Sequence, residues 1–324
     1  MPELPEVERV ARLLRDIGVD RVVESVTTSE DTIVLRMASE IKGRKVRTVG
    51  RYGKVFYLEM EGQGRHPVMH LGMTGNVYPY KSSSKKEDSQ WPPRFMKFIL
   101  KFAQVDDTPS AEVVFIDPRR LARIRLCNEP LKEPPISNLG FDPLLCMPSL
   151  SEFIPQVQRR ANPIKSLLLD QKFSAGVGNW IADEILFHSR IHPEQRPNTL
   201  TDEQIKTLHE KMLYVCETAV GVNANSSLFP ESWLFRHRWG KGKKQTSDFR
   251  LPSGETAIIK WITVGSRTSA YVPKVQTLTS TGKGKGKEKT VAEDAAEDAV
   301  SNGKRRRSTR LAERPSTSPY FNHT

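Results

Sequence analysis

The hydrophobic pattern of the chain changes near Pro148, and this change most constrains the fold. Between residues 22 and 126, short β-branched and aromatic runs alternate with Gly, Asp and Pro turns, which is typical of antiparallel strands. The runs that we predict as strands are 22–28, 32–37, 54–59, 95–102 and 112–116. This region therefore predicts a β-sandwich or barrel, interrupted by a Ser-, Lys- and Pro-rich loop over 80–93.

Helical periodicity occurs on both sides of this region. Residues 5–18 have a proline in the first turn, one apolar face and a glycine stop, so a leading helix is predicted. Further helices are predicted over 151–160, 162–169, 179–189 and 201–220. The last helix opens with a capping box, in which Thr201 is followed three residues later by Gln204.

A Gly-containing turn over 265–269 separates two short apolar segments, 255–264 and 270–272, and predicts a β-hairpin. Together these patterns predict an α+β protein. An N-terminal antiparallel β-sandwich domain with a leading helix spans 1–140, and a helical domain with the hairpin spans 141–276.

Residues 277–324 have the composition of a disordered tail, with Gly-Lys repeats, an acidic Ala-rich block and Ser, Thr and Pro enrichment. Ten basic and six acidic residues give this tail +4 of the net charge of +12, so the body carries about +8. The basic cluster 303–307 predicts a nuclear import signal, with a solvated charge run as the alternative. The basic body favours a polyanionic partner.

Cysteine usage and hydropathy exclude several classes of protein. The three cysteines, Cys127, Cys146 and Cys216, are scattered without Cys-x-x-Cys spacing, which predicts reduced thiols and no zinc site. No apolar run approaches the roughly 20 residues that span a bilayer, and the start lacks the features of a signal peptide. We therefore expect a protein without membrane contact, in the cytosol or nucleus.

The first residues carry the sharpest chemical signal. Initiator methionine is removed before small residues, and its removal would leave Pro2 as a terminal secondary amine with a pKa near 7.8. Attack of this amine on a sugar C1′ would form an iminium that acts as an electron sink, and Glu3 could move the protons. The alternative is that Pro2 and Glu3 only open a capped helix.

The longer segment 2–8, PELPEVE, resembles the amino terminus of the formamidopyrimidine-DNA glycosylase and endonuclease VIII family. Four further segments agree in order and spacing, so the resemblance extends from residue 2 to about 276. It implies Pro2 as the nucleophile and Glu3 as acid and base. It also implies that Lys54, in the segment 50–54, assists at the abasic sugar.

The resemblance also implies DNA contacts. In segment 70–75, His70 would bind phosphate and Met73 would fill the space left by an everted base, although an isolated methionine is more often a core residue. In segment 117–121, Arg119 would face the orphaned cytosine. Leu121 stands where many bacterial relatives have a wedging phenylalanine, so discrimination of the opposite base is expected to be looser.

Residues 170–184 resemble the helix-two-turn-helix of the family. Asn179 would bind phosphate at a helix start, where backbone N–H groups and the positive dipole end favour anions, or it would be an ordinary helix cap. Lys165, on the preceding helix, is expected to add a second phosphate contact.

No cysteine follows Cys216, whereas bacterial members carry a four-cysteine zinc finger. Residues 261–271 instead resemble the zincless finger of plant, fungal and endonuclease VIII-like members, with Arg267 in the place of the arginine that grips the lesion phosphates. The resemblance therefore implies a metal-free finger, no cofactor, and a position nearest the plant and fungal branch.

The resemblance implies a bifunctional DNA glycosylase and abasic-site lyase of base excision repair. It would excise oxidised purines, namely formamidopyrimidines and hydantoins with 8-oxoguanine as a further candidate, from damaged double-stranded DNA and nick the strand by β,δ-elimination. We expect a nuclear monomer. Two alternatives remain: a non-catalytic damaged-DNA binder of the same fold, and a ribosome-type RNA binder with a helix-two-turn-helix.

Overall fold

Two antiparallel sheets build the N-terminal half, as the strand pattern predicts. The strands are β1 (Val23–Thr28), β2 (Val46–Tyr52), β3 (Val55–Met60), β4 (His66–His70), β5 (Asn76–Pro79), β6 (Met96–Phe102), β7 (Ala111–Ile116) and β8 (Arg123–Cys127). One four-stranded sheet has the order β1-β6-β7-β5, and the other has the order β2-β3-β4-β8. Apolar side chains from both sheets, such as Phe56 and Phe115, share one buried cluster, so the sheets form a sandwich.

The computed structural model describes residues 1–28, 31–80, 92–242, 249–251 and 253–279, which belong to one compact unit. Most of the predicted loop over 80–93 lies outside the described residues. The predicted tail lies outside them as well, including the basic cluster 303–307, except for 277–279. Thr279 is hydrogen-bonded to Gln195, with its backbone N 3.0 Å from the Gln195 Oε1.

The leading helix α1 (Leu4–Gly18) confirms the prediction from its periodicity. Its apolar face, including Val7, Val10 and Leu14, packs into the cluster shared by the two sheets. Glu3 is the N-cap residue, and its backbone N donates to the Glu6 Oε2 over 2.9 Å. The capping box therefore fixes the chain at the point where the site begins.

The predicted strand over 32–37 is wrong, because these residues lie in helix α2 (Thr32–Ile41). The carboxylate of Asp31 caps the helix by accepting from the backbone N atoms of Ile33 and Val34 at 3.1 and 3.3 Å. Val34, Met37 and Ile41 are buried, with helical spacing. The β-branched start of this segment favoured a strand, but the cap and the packing of one helical face outweigh that propensity.

Four helices form most of the C-terminal half: α3 (Leu150–Gln158), α4 (Ile164–Leu169), α5 (Asn179–His188) and α6 (Asp202–Gly221). The capping box predicted for α6 is present, since the backbone N of Gln204 donates to the Thr201 Oγ1 over 3.2 Å. Helix α4, two turns and helix α5 form the helix-two-turn-helix. A second buried apolar cluster, which includes Ile181, Met212 and Trp233, holds this half together.

The predicted hairpin is formed by β9 (Lys260–Val264) and β10 (Arg267–Tyr271). Its turn has two residues, Gly265 and Ser266, with φ values of 55° and 62°. Two consecutive positive φ values match a type I′ turn, the form that suits the twist of a two-residue hairpin. Arg267 pairs with Val264 directly beside the turn.

A buried arginine joins the two halves. The Arg51 Nε donates to the Glu8 Oε2 over 2.7 Å, and its Nη2 donates to the Asp142 Oδ1 over 3.2 Å. Asp142 also accepts from the backbone N of Gly53 at 2.7 Å. This network ties helix α1, the turn after β2 and the start of the helical half. Within the described ranges, no helix is both long and apolar enough to cross a membrane.

Candidate active site

Glu3 joins the start of the chain to the helix-two-turn-helix. Its side chain is buried, and its two carboxylate oxygens accept from the backbone N atoms of Trp180 and Ile181 at 3.0 and 3.1 Å. These amides belong to the first turn of α5, where a negative charge is favoured by the helix dipole. The residue expected to move protons is therefore also the anionic cap of a helix 177 positions away in sequence.

Gly178, the N-cap residue of α5, makes this approach possible. A Cβ atom at position 178 would lie 2.2 Å from the Glu3 Cδ, well inside van der Waals contact. Glycine is therefore required here by the carboxylate that lies against it.

Lys54 lies in the turn between β2 and β3 and is also buried. Its Nζ donates to the backbone O of Val177 over 3.0 Å. Burial lowers the pKa of Lys54, the charge of Glu3 opposes this shift, and Arg267 adds to it. Burial likewise raises the pKa of Glu3, against the effects of Lys54 and of the two amides. Burial thus opposes the charge on both groups, and each charge stabilises the other, so the two groups are electrostatically coupled.

Pro2 lies beside this pair and lines a cavity of about 350 Å³ that also contains Met1, Glu6, Trp180 and Trp239. Burial, and next the charge of Glu3, raise the pKa of Glu6 to about 7. The nitrogen of Pro2 is acylated by Met1 in the full chain, so the free amine requires removal of that residue. Met1 is 46% exposed and therefore accessible.

His70, Met73 and Leu121 line a second cavity, of about 400 Å³, which Met1 also borders. The loops that carry them touch at Gly72, whose φ is +68° and whose added Cβ would lie 2.5 Å from the backbone C of Leu121. The structure therefore brings these three predicted residues together in a cavity that Met1, the residue before Pro2, also borders.

The loop after β7 is held by Asp117. Its carboxylate accepts from the backbone N atoms of Leu121 and Ala122 at 3.1 and 3.0 Å. Leu121 remains 44% exposed, and Arg119 is exposed in the same loop. An exposed leucine on a fixed loop is suited to insertion between bases.

His70 is held by a local bond, in which its Nδ1 accepts from the backbone N of Gly72 at 2.9 Å. This bond leaves the Nε2 as the donor of a neutral ring. Burial lowers the pKa of His70, and the positive charges of Lys54 and Arg123 act in the same direction. A phosphate bound here would therefore meet a neutral histidine donor.

Asn179 and Arg267 lie on adjoining elements. The Asn179 Nδ2 donates to the backbone O of Thr268 over 3.0 Å, so the first residue of α5 holds strand β10. Arg267 is exposed at the start of that strand. The Asn179 Oδ1 has no hydrogen-bond partner among the described residues.

The structure does not support the expected phosphate contact of Lys165. Lys165 has no exposed surface, and its Nζ donates to the backbone O of Asn179 over 2.9 Å and to the carboxylate of Asp183. A phosphate therefore cannot reach this ammonium group in the present arrangement. The negative partner that the lysine needs is supplied by α5 instead.

Asp183 was not singled out from the sequence, yet it organises the hairpin. Its Oδ1 accepts from the Ser269 Oγ at 2.7 Å, and its Oδ2 accepts from the Ala270 N at 3.2 Å and the Arg238 Nη2 at 2.5 Å. With Lys165 as a further donor, two cations and two groups of β10 converge on one fully buried carboxylate. We call this set the Asp183 cluster.

The neighbouring Glu184 has a comparable role. Its fully buried carboxylate accepts from the backbone N atoms of Leu234 and Phe235 at 2.9 and 2.8 Å. Two adjacent acids inside an otherwise apolar helix are the sequence signal that would have indicated this pair, because buried charges need partners.

In the part of the chain that the structure describes, no group of three or more His, Cys, Asp or Glu residues is placed to hold a metal ion. The hairpin is instead held by the Asp183 cluster. The indole Nε1 of Trp261 on β9 also donates to the backbone O of Arg238 over 2.9 Å.

The fold and the site together define a two-part protein in which an amino-terminal proline, a helix-two-turn-helix and a β-hairpin converge. Two family models match: the formamidopyrimidine-DNA glycosylase N-terminal domain over residues 1–124 and the formamidopyrimidine-DNA glycosylase H2TH domain over residues 139–230. The chain belongs to the formamidopyrimidine-DNA glycosylase family.

Relatives with that name occur in plants and bacteria. The formamidopyrimidine-DNA glycosylase of Arabidopsis thaliana is 38% identical over 291 residues, covering 86% of this chain and 71% of the relative. That of Chloroflexus aurantiacus is 30% identical, covering 85% of this chain and 98% of the relative.

Solved structures share the fold. The Lactococcus lactis Fpg bound to DNA containing N7-benzyl-Fapy-dG has a TM-score of 0.68 at 25% identity, covering 85% of this chain and all of that chain. The same enzyme bound to DNA with an abasic site has a TM-score of 0.68 at 22% identity, covering 85% of this chain and 99% of that chain.

Proposed function

We propose that the protein is a DNA glycosylase and abasic-site lyase that removes oxidised purines, formamidopyrimidines first among them, from double-stranded DNA. The observation that carries the proposal is the position of Pro2 directly before Glu3, whose carboxylate binds the first turn of α5 close to the bond between Lys54 and Val177. Met1 borders the cavity lined by Met73 and Leu121. The names of the relatives support the substrate class.

The reaction begins at the nitrogen of Pro2 once Met1 is removed. The amine bonds to C1′ while the C1′–base bond breaks, and the departing base takes the bonding electrons and a proton. Opening of the sugar ring gives the iminium. This acidifies the C2′ proton, whose loss expels the 3′ phosphate, and a second elimination expels the 5′ phosphate. Water then hydrolyses the iminium, which frees Pro2 and releases the sugar fragment as an unsaturated aldehyde. The product is a gap with phosphates at both ends.

Glu3 is the proton carrier for these steps. Its two oxygens each accept from one amide of α5, which orients the carboxylate and leaves lone pairs for a proton. Because burial raises its pKa, Glu3 accepts a proton more readily than an exposed carboxylate does. A protonated Glu3 then serves as the acid in the opening of the sugar.

Lys54 supplies positive charge close to the reacting sugar. Burial lowers the pKa of Lys54, and the charge of Glu3 opposes this shift and so favours the protonated form. The bond to the Val177 carbonyl fixes the position of the ammonium group. A neighbouring cation disfavours protonation of the Pro2 amine and so increases the reactive fraction.

DNA binding in this proposal divides between two kinds of contact. His70, Asn179 and Arg267 contact phosphates, which positions the duplex without reading its sequence. Met73, Arg119 and Leu121 occupy the stack that the everted base leaves, which offsets the few kcal/mol that unstacking costs. Leucine stacks on neighbouring bases more weakly than phenylalanine does, so Leu121 predicts tolerance of several opposite bases.

Borohydride trapping tests the chemistry. Wild-type protein with its amino-terminal Pro2 is expected to become covalently attached to abasic DNA in the presence of borohydride. Pro2→Gly, or any residue left ahead of Pro2, is expected to reduce both base release and trapping by orders of magnitude, with binding to an abasic-site analogue nearly unchanged.

Full trapping by a form that retains Met1 would refute the role of Pro2. Binding to damaged DNA without trapping by the wild type would favour the non-catalytic binder. Competition between RNA and DNA would identify the RNA binder.

We also propose that the chain belongs with the zincless plant and fungal members. Two observations support this proposal: the identity to the Arabidopsis relative, and the Asp183 cluster that holds the hairpin. The basic cluster 303–307 supports a nuclear location, and a single copy of the chain contains all the site residues. Metal analysis and sedimentation of the purified full chain test the zincless and monomeric proposals.

A further inference from the structure

The segment that connects α4 to α5 is held by a side chain that the chemistry described above does not use. Gln171 is half-buried at the start of this segment. Its Nε2 donates to the backbone O of Leu169 over 2.9 Å and to that of Val177 over 2.8 Å. Its Oε1 accepts from the backbone N of Gly176 at 3.0 Å. The amide therefore uses both of its N–H donors and its oxygen, and it fits in one orientation.

Two of these backbone partners also hold the site. The Val177 O that accepts from Gln171 accepts from the Lys54 Nζ as well, at 3.0 Å. The Gly176 O accepts from the backbone N of Leu4 at 3.1 Å. The pair 176–177, which Gln171 fixes from within its own segment, thus contacts Lys54 on one side and the start of α1 on the other.

The same pair packs closely against the turn that carries Lys54. A Cβ atom at position 176 would lie 3.2 Å from the Gly53 Cα, and one at position 53 would lie 3.1 Å from the Gly176 N. The φ values of these glycines are +98° and +57°. The two backbones are therefore in close contact, and a shift of one is passed on to the other.

We propose that Gln171 is a positioning residue of the reaction, which places the Lys54 ammonium group beside the Pro2 amine by fixing the Val177 carbonyl. This role rests on the proposed function, because the place of Lys54 matters to the reaction only if Pro2 is the nucleophile. A carbonyl oxygen has two lone pairs, and here it receives one N–H from the lysine and one from the glutamine amide. Two donors from different segments fix its direction.

Removal of the amide takes these three bonds from the segment. The carbonyl of Val177 then keeps Lys54 as a partner but loses the bond that fixes its direction, so the ammonium group moves relative to Pro2. A neighbouring cation disfavours protonation of the Pro2 amine, and its displacement increases the protonated, unreactive fraction. Attack on C1′ therefore slows most near neutral pH and less at high pH, where the amine is neutral in either case.

Borohydride trapping on abasic DNA under single turnover, between pH 6 and 9, measures this effect. The full chain with its amino-terminal Pro2 is used. Gln171→Met keeps the length of the side chain and removes the amide. It is expected to lower the trapping rate at pH 7 by about 10- to 100-fold, the range for a misplacement of about 1 Å. The pH of half-maximal rate should rise, and binding to a tetrahydrofuran abasic analogue should be nearly unchanged.

Gln276→Met is the matched control. Gln276 is buried and bonds to the backbone in the same way, since its Oε1 accepts from the Val272 N at 2.8 Å and its Nε2 donates to the Ile191 O over 2.9 Å. The loss of these bonds should lower the free energy of unfolding, as in Gln171→Met, but leave the trapping rate and its pH profile unchanged.

A double-mutant cycle with Lys54→Ala tests the route of the effect. In the Lys54→Ala background, Gln171→Met should cause little further loss of trapping, because both changes act on the same ammonium group. If Gln171→Met does not bind the abasic analogue, Gln171→Glu replaces it in the cycle. That variant keeps the acceptor for the Gly176 N but lacks both donors, and the same dependence on Lys54 is expected.

Wild-type trapping rates and pH profile in a Gln171 variant that binds the abasic analogue would overturn the proposal. An undiminished loss in the Lys54→Ala background would overturn it as well, because Gln171 would then act on folding of the segment and not through Lys54. Absence of trapping by the wild type would contradict the proposed function, and the role of Gln171 with it.

Discussion

The Asp183 cluster gives the sharpest test of how the hairpin is held. Asp183→Asn keeps the size of the side chain but removes the negative charge that faces Lys165 and Arg238. The new amide NH₂ group also cannot accept from the donors that now meet the Oδ2, namely Ala270 N and Arg238. We therefore expect loss of stability together with displacement of strand β10.

The magnitude follows from burial. Removal of one partner from a buried ion pair leaves an uncompensated charge and costs about 3–5 kcal/mol, a large part of the roughly 5–15 kcal/mol by which domains are stable. Burial already lowers the pKa of Lys165, and Asp183 opposes this shift. Without Asp183, the folded protein releases the Lys165 proton more easily than the unfolded chain does. The stability deficit should therefore be largest at low pH and shrink as the pH rises towards 10.

Urea unfolding of the wild type and the variant between pH 6 and 9 measures this deficit. Glu24→Gln is the matched control, because it breaks the exposed pair with Lys101 and should cost at most about 1 kcal/mol. Adding Lys165→Met to Asp183→Asn should recover part of the loss, since one of the two stranded charges is removed.

DNA binding provides the functional readout. Displacement of β10 moves Arg267, so Asp183→Asn is expected to weaken binding to lesion and abasic DNA alike. An unfolding free energy within about 1 kcal/mol of the wild type, with unchanged DNA affinity, would refute the structural role of Asp183. Stoichiometric zinc in the purified protein would refute the metal-free account.

Three further predictions concern separate parts of the chain. Burial raises the pKa of Glu6 from 4.5 to about 7, so the folded state binds this proton more tightly than the unfolded chain does. The free energy of unfolding of the wild type should therefore fall by up to about 3 kcal/mol as the pH rises from 4.5 to about 7. Glu6→Gln lacks this loss, so its stability relative to the wild type should increase between pH 5 and 8 in urea titrations; parallel curves would contradict the assignment. Arg267→Ala should weaken binding to many lesions alike and reduce the salt dependence of DNA binding by about one counterion. A chelator should leave the activity of the wild type unchanged. A salt slope equal to that of the wild type would contradict a phosphate contact of Arg267. Deletion of 280–324, which spares the bond between Thr279 and Gln195, should leave excision intact in vitro and redistribute the protein in cells; unchanged nuclear accumulation would exclude the import signal.

Local sequence signals determined the elements whose cause is local. The leading helix, the capping box at Thr201 and the hairpin at Gly265 depend on residues within a few positions of one another, and the structure confirms them. The wrong prediction of a strand over 32–37 also came from local sequence signals. The β-branched residues favoured a strand, but the cap by Asp31 and the burial of one helical face decided for α2.

Only the tertiary structure decided which distant groups meet. The cap of α5 comes from Glu3, and the countercharge of Lys165 comes from Asp183. The sequence predicts a phosphate contact for Lys165, but the structure buries this lysine against Asp183. The physical reason is that burial and electrostatic pairing act through space. A motif predicts the chemistry of a side chain, but its exposure and its charge partners depend on packing between segments that are far apart in the chain.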